Sequence, residues 1–234
     1  MVSLVTGGSK GIGLAIARAL LDRAGQVAIT GRGAAALADA ARTLSAGDRL
    51  LTVRGDVRDP GDAQRLVDET VRRFGGLDVL VNNAGVGKFA NVADMSVDDW
   101  RQVVDTNLSG VFYCTRAALP ELRRRGGGGY IINISSLAGK NAFTGGAAYC
   151  ASKAGLDQFS EALMQEVRHE NIRVSYVMPG SVATEFGGGP GDAGAAWKLA
   201  PEDVAKVVVD LISHEARSLA SRVELRPSRP PRKG

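Results

Sequence analysis

The sequence predicts an α/β fold, a doubly wound parallel sheet of about seven strands with helices on both faces. Three observations point there. Apolar strand-like runs alternate with helical-periodic runs along the whole chain. The first run, Val2-Ser3-Leu4-Val5-Thr6, passes straight into a glycine turn and then an amphipathic segment. Tyr149 and Lys153 stand at i and i+4 in a long helical stretch, with Ser136 closing the strand-like run before it.

Strands are expected near 2–6, 26–30, 50–54, 78–81, 129–134, 172–178 and 221–225. Helices are expected near 11–24, 34–46, 60–74, 97–124, 148–170 and 201–213. Leu14, Ala17, Leu20 and Leu21 give the first helix its apolar face; Leu156, Phe159, Leu163 and Val167 do the same for the fifth. Pro60 and Pro201 suit first turns, where a missing N–H costs nothing, and Glu202 and Asp203 favour that end of the dipole. Arg123 to Arg125 complement a helix C-terminus before the Gly126–Gly129 turn. Right-handed crossovers set the order 3-2-1-4-5-6-7, with a site outside the carboxyl ends of the strands. Residues 1–225 are read as one nucleotide-binding and catalytic domain, and 226–234 as a solvated basic tail. The glycine-rich stretch 185–199 interrupts the alternation and is read as a substrate lid.

Composition narrows the class. A 44% hydrophobic and 23% charged chain is ordinary for a soluble globular protein. No run approaches the ~18 apolar residues of a membrane span, and the first residues lack a signal-peptide pattern, so a cytoplasmic location is expected. Cys114 and Cys150 are too few and too ill-spaced for a disulfide framework or a metal site, and none is expected. The net charge of +4 equals the four cations of the tail, Arg226, Arg229, Arg232 and Lys233. The body therefore sums to zero, and no nucleic-acid footprint is expected.

The candidate site is assembled from several segments. A strand, a glycine turn and a helix N-terminus make a phosphate site, because free N–H groups and the helix dipole face the anion. Gly7, Ser9, Lys10, Gly11, Ile12 and Gly13 supply that loop, spaced G-x-x-x-G-x-G rather than G-x-G-x-x-G. A tyrosine is a weak acid at neutral pH, and a cation beside it would favour its phenolate. The Tyr149–Lys153 spacing also arises on ordinary surface helices, so the rest of the chain has to support the chemistry.

It does so by family resemblance. The chain resembles the short-chain dehydrogenase/reductase family, in its Tyr-x-x-x-Lys branch with the Thr-Gly-x-x-x-Gly-x-Gly loop, over nearly its whole length. Further motifs that carry the likeness are Asp56-Val57, Asn82-Asn83-Ala84-Gly85, Asn107, Ile131-Ile132-Asn133-Ile134-Ser135-Ser136 and Pro179-Gly180-Ser181-Val182-Ala183-Thr184. The resemblance implies a Rossmann-type fold and a cofactor held by the glycine loop, Arg32, Asp56, Val57, Asn83, Ala84, Gly85, Tyr149, Lys153, Pro179, Gly180, Val182 and Thr184. It implies Tyr149 as acid/base, Ser136 on the substrate oxygen, Lys153 lowering the tyrosine pKa and holding the nicotinamide ribose, and Asn107 fixing a relay water. It also implies a small-molecule carbonyl or alcohol substrate and a homodimer or homotetramer. The carboxyl end departs from the family's common Asp-Gly-Gly turn, with Val223-Glu224-Leu225-Arg226-Pro227 in its place. Subunit contacts and substrate therefore do not carry over from those members.

NADP is the expected cofactor. Gly31 stands where an NAD-selecting carboxylate would, and Arg32 follows it with a planar fork suited to a 2′-phosphate. The competing reading is a catalytically silent cofactor-binding regulator of the same fold. The complete set of Asn107, Ser136, Tyr149 and Lys153 argues against it. An epimerase or dehydratase is disfavoured by the glycine spacing and the short chain. Leu137, Phe143, Phe186 and Trp197 are candidates to line a substrate pocket, with Lys140 or Lys198 available to an anion.

Overall fold

The computed structural model describes residues 1–124, 126, 128–186 and 196–231. Seven parallel strands form one sheet in the order β3-β2-β1-β4-β5-β6-β7. They are β1 (Val2–Val5), β2 (Gln26–Gly31), β3 (Leu50–Arg54), β4 (Val79–Asn82), β5 (Tyr130–Ile134), β6 (Arg173–Pro179) and β7 (Arg222–Leu225). The helices are α1 (Gly11–Asp22), α2 (Ala34–Leu44), α3 (Pro60–Phe74), α4 (Val97–Val104), α5 (Gly110–Arg124), α6 (Ala147–Val167) and α7 (Pro201–Ser213).

Strand periodicity decides which helix covers which face. Successive side chains of a strand point to opposite sides. Val5, Val79, Val81, Ile132 and Ile134 accordingly join Ile16, Leu20, Leu37, Val204 and Val208 in one core, under α1, α2 and α7. Leu4, Leu80 and Ile131 join Leu66, Val67, Leu122, Leu163 and Val167 in the other, under α3, α5 and α6. Both faces are buried, so the central strands read as continuous apolar runs. Ends are set locally. Asp59 caps α3 by accepting from Asp62 N at 2.8 Å, with Pro60 behind it. Asp203 accepts from Ala200 N at 2.8 Å at the start of α7. Gly75 closes α3 at φ 81°, a left-handed position that glycine occupies freely. Among the described residues no helix is long and apolar enough to cross a membrane.

The long helix expected over 97–124 differs. A π-helical segment, Asp105–Ser109, separates α4 from α5. It admits one extra residue, a bulge that tends to mark functional positions. Here it turns Asn107 inward, where its side chain bonds Val86 of the loop after β4.

Leu80 lies at the centre of the sheet with no exposed surface. Leu80→Ala should destabilise the fold by about 2–5 kcal/mol, the usual range for a buried leucine truncation. Urea unfolding monitored by circular dichroism measures it, and a loss under ~1 kcal/mol would show that this layer collapses around the cavity.

Candidate active site

The carboxyl ends of β1, β4, β5 and β6 lie side by side in the sheet, and the sequence-predicted residues are carried mostly by the segments that follow these ends. Glycine permits the closest approaches. A Cβ at Gly13 would overlap Asn83 Nδ2 and the Gly7 carbonyl, and one at Gly7 would stand 2.9 Å from Ala84 Cα. Gly7 and Gly11 hold φ 64° and 55°, which side chains disfavour. Thr6 Oγ1 accepts from Asn83 N (3.0 Å) and Ala84 N (3.1 Å), while Asn83 Nδ2 donates to the Thr6 (2.9 Å) and Gly7 (3.1 Å) carbonyls. The glycine loop is thus stapled to the end of β4.

Helix α1 starts without a side-chain cap and without an acid in its first turn. Its first N–H groups have no intrahelical partner. A crevice floored by glycines and closed by an uncapped helix N-terminus fits the phosphates of a dinucleotide. Thr184, in the turn after β6, would meet a Gly11 Cβ at 3.3 Å, so Pro179 to Thr184 face this loop. Gly180 N donates to Leu225 O at 2.8 Å, and Val182 bridges Leu199, which anchors both described ends of the 185–199 stretch. Residues 187–195 of the expected lid and 232–234 of the tail lie outside the described residues.

At the far end of the crevice, Asp56 is occupied by a neighbour. Arg58 donates to both its oxygens, at 2.6 Å from Nη2 and 3.1 and 3.0 Å from Nε. That bond, with Arg32's charge adding to it, holds the Asp56 carboxyl below its ordinary pKa. Val57 is buried and packs under Gly110. Arg32 is exposed, and its carbonyl accepts from Arg54 Nε at 3.0 Å. Three guanidinium-bearing residues therefore gather at the ends of β2 and β3. Lys10 instead pairs with Glu185 at 3.1 Å, both largely in solvent.

The catalytic candidates cluster at the end of β5. Lys153 is buried on α6 and donates to the Ile134 carbonyl at 2.8 Å. Its Nζ lies 5.9 Å from the centre of the Tyr149 ring. The Ser136 hydroxyl oxygen accepts from Ala138 N at 3.1 Å. Asn107 is fully buried; Val86 N donates to its Oδ1 at 2.8 Å, and its Nδ2 donates to Val86 O (2.9 Å) and Ser152 Oγ (3.0 Å). The side chain thereby ties the loop after β4 to α6.

Burial governs the electrostatics. It pushes the Tyr149 phenol above its ordinary pKa, against the Ser136 hydroxyl, which favours the phenolate. It also lowers Lys153 to about 8, with Asp157 opposing. The expected lowering of the tyrosine by the lysine is therefore not seen in the protein alone. The ammonium is turned to Ile134 and is itself penalised by desolvation.

Sequence reading passed over two features. Asp157, one turn beyond Lys153, is buried and accepts from Ser135 Oγ, pinning the end of β5 to α6; burial raises its pKa while Ser135, Lys153 and Arg222 oppose. Its i+4 offset from Lys153 was the available signal. Phe89, after the Asn-Ala-Gly motif, edges onto the Tyr149 ring at 5.8 Å, which no local pattern announces.

A glycine turn at an uncapped helix start, with a serine, a tyrosine and a buried lysine at the neighbouring strand ends, is the arrangement to set against known proteins. The short chain dehydrogenase family model matches residues 1–190. The chain is 35% identical over 235 residues to the sepiapterin reductase of Chlorobaculum tepidum, covering 97% of this chain and 96% of that one. A serine dehydrogenase in closed form, complexed with NADP+, superposes at TM-score 0.89 with 34% identity over 96% of this chain and 94% of that one. An alcohol dehydrogenase from Thermococcus sibiricus, complexed with 5-hydroxy-NADP, superposes at 0.90 with 27% identity over 99% of each chain. The protein belongs to the short-chain dehydrogenase/reductase family of oxidoreductases.

The lowered Lys153 pKa has a consequence for stability. Between about 8 and 10.5 the unfolded chain holds the proton more tightly than the folded one. The cost of the buried charge is full below pH 8 and fades as pH rises towards 10.5. The stability of Lys153→Met relative to the parent should fall as pH rises from 7 to 10, by on the order of 2 kcal/mol, because the parent sheds the cost of its buried charge over that range and the variant has none to shed. Urea unfolding at both pH values tests this, and a pH-independent difference would place the proton elsewhere.

Proposed function

We propose that the protein is an NADP-dependent oxidoreductase acting on a small-to-medium carbonyl or alcohol, with Tyr149 as acid/base. The observation that carries this reading is the gathering of Ser136, Tyr149 and Lys153 at the end of β5, where the Ser136 hydroxyl favours the Tyr149 phenolate and Lys153 Nζ lies 5.9 Å from the tyrosine ring. The cofactor, when bound, supplies or accepts the hydride. Tyr149 gives its hydroxyl proton to the substrate oxygen in reduction and takes it back in oxidation. Ser136, already accepting from Ala138 N, keeps its own proton to donate to that oxygen as negative charge develops there. Lys153 holds positive charge behind the phenol and has donors to spare for ribose hydroxyls. Asn107 positions the Gly85–Val86 loop against α6: a Cβ at Gly85 would lie 3.3 Å from Asn107 Oδ1 and 3.8 Å from Lys153 Nζ. Residues 1–225 act as one catalytic unit in this reading.

NADP is favoured over NAD because Gly31 offers no carboxylate and Arg32 is exposed beside Arg54 and Arg58. NADP in the two structural relatives supports the same choice. Arg32 outranks Lys10, which must first leave Glu185. Exposed Val97, Trp100 and Phe112 on α4 and α5 support a homodimer or homotetramer, and a monomer in sedimentation would remove that element.

Two outcomes are expected. Tyr149→Phe should lower kcat by orders of magnitude while NADPH affinity, read by fluorescence titration, stays close to that of the parent. Near-parental turnover would overturn the assignment, whereas cofactor binding with no turnover of any carbonyl by the parent would favour a silent regulator. NADPH should be preferred over NADH at least ~10-fold in kcat/KM, or ~1.4 kcal/mol, weakening with salt and largely lost in Arg32→Ala. Equal use of both cofactors at low salt would sink the preference alone.

A further inference from the structure

Two phenylalanines, Phe89 and Phe186, contact the Tyr149 ring, and a third, Phe143, extends the cluster through Phe89. Phe89 follows β4, Phe143 precedes α6 and Phe186 follows β6. Ring centres lie 5.8 Å apart for Phe89 and Tyr149, 5.5 Å for Phe186 and Tyr149, and 5.8 Å for Phe89 and Phe143. All are within the range of aromatic contact. Yet Phe89, Phe143 and Phe186 remain 48%, 49% and 47% exposed. Main chain sets their positions from behind. A Cβ at Gly87 would stand 2.7 Å from the Phe186 ring and 2.8 Å from that of Phe89, and one at Gly146 would stand 2.6 Å from Phe143. Glycine lets each ring lie directly on backbone while about half of its surface stays exposed beside the tyrosine ring cluster.

Three described lysines neighbouring these segments in sequence or by ion pair have acidic partners. Lys10 pairs with Glu185 at 3.1 Å, Lys88 with Asp99 at 3.4 Å and Lys140 with Glu224 at 2.8 Å. An anionic substrate would have to break one of these pairs and would lose hydration against the rings. A quaternary ammonium is the other guest that aromatic rings accept, but Glu185, Asp99 and Glu224, the acids of these pairs, are already engaged by lysines. A flat apolar group meets neither cost and removes water from half-exposed rings.

We propose that this aromatic mouth selects neutral carbonyl compounds bearing an aryl or similarly flat apolar group next to the reacting carbon, and the corresponding alcohols. The proposal rests on Tyr149 as the proton donor and adds the substrate class to that reading. Apolar contact made outside the reacting centre would be used to orient the carbonyl towards Tyr149 and Ser136.

The test is NADPH consumption with matched substrates: benzaldehyde against acetaldehyde, acetophenone against acetone, and both aryl compounds against phenylglyoxylate and betaine aldehyde. The neutral aryl member should exceed its methyl counterpart at least ~10-fold in kcat/KM, and should exceed the charged compounds by as much. Phe89→Ala and Phe143→Ala should narrow the aryl-to-methyl ratio at least ~5-fold, mainly through a higher KM for the aryl substrate. Methyl, anionic or trimethylammonium substrates that match the aryl ones would overturn the class, as would an unchanged ratio in both variants. Tyr149→Phe with intact turnover would instead overturn the catalytic assignment. If no carbonyl is consumed, calorimetry with 1-phenylethanol in the presence of NADP decides the mouth alone: binding that weakens in Phe143→Ala supports it, and no binding overturns it.

Discussion

A positive charge carried into the interior is the constraint around which the site is organised. Lys153 has almost no contact with solvent, and an uncompensated ammonium there would cost several kcal/mol. Its compensation comes from two elements. The Ile134 carbonyl at the end of β5 accepts from it, and Asp157 one turn along α6 supplies the opposite charge. Asp157 in turn holds Ser135, the neighbour of Ser136. A Cβ at Gly139 would overlap Asp157 Oδ2, so the turn after Ser136 can approach only because that residue is glycine. Supporting the lysine thus also fixes the distance between the strand that carries the serine and the helix that carries the tyrosine.

The same logic of close approach governs the other half of the crevice. Gly7 and Gly13 bring the start of α1 against the end of β4, and the Thr6 and Asn83 hydrogen bonds take up backbone groups that this contact would otherwise strand. Asn107 does the corresponding work between the loop after β4 and α6, using three hydrogen bonds in a fully buried setting. Its π-helical backbone is therefore part of the site's construction. Charge is arranged differently at the two ends. At the Tyr149 end burial dominates and opposes ionisation, while at the Asp56 end exposed arginines leave a positive surface suited to a phosphate.

Much of this was legible along the chain, for a reason that differs between elements. The sheet was readable because both its faces are buried, which makes β1, β4 and β5 unbroken apolar runs. The glycine loop, Ser136, Tyr149 and Lys153 were readable because local spacing constrains them. Helix 97–124 was misjudged where side-chain periodicity continues through Asp105–Ser109 although the backbone hydrogen bonding changes. Phe89 and Arg58 were missed because each matters only through a partner distant in sequence or already engaged nearby.

By itself the sequence determined the strand order, through strand–helix alternation with right-handed crossovers, and the placement of the glycine turn, Ser136, Tyr149 and Lys153 on their elements, because these follow from hydrophobic period and offsets within single elements. Tertiary structure alone decided the ionisation tendencies of Tyr149 and Lys153, the pairing of Lys10 with Glu185, and the clustering of Phe89 and Phe186 against Tyr149 with Phe143 behind Phe89. Desolvation, ion pairing and ring contact depend on distances between segments far apart in the chain, and no local pattern encodes those distances.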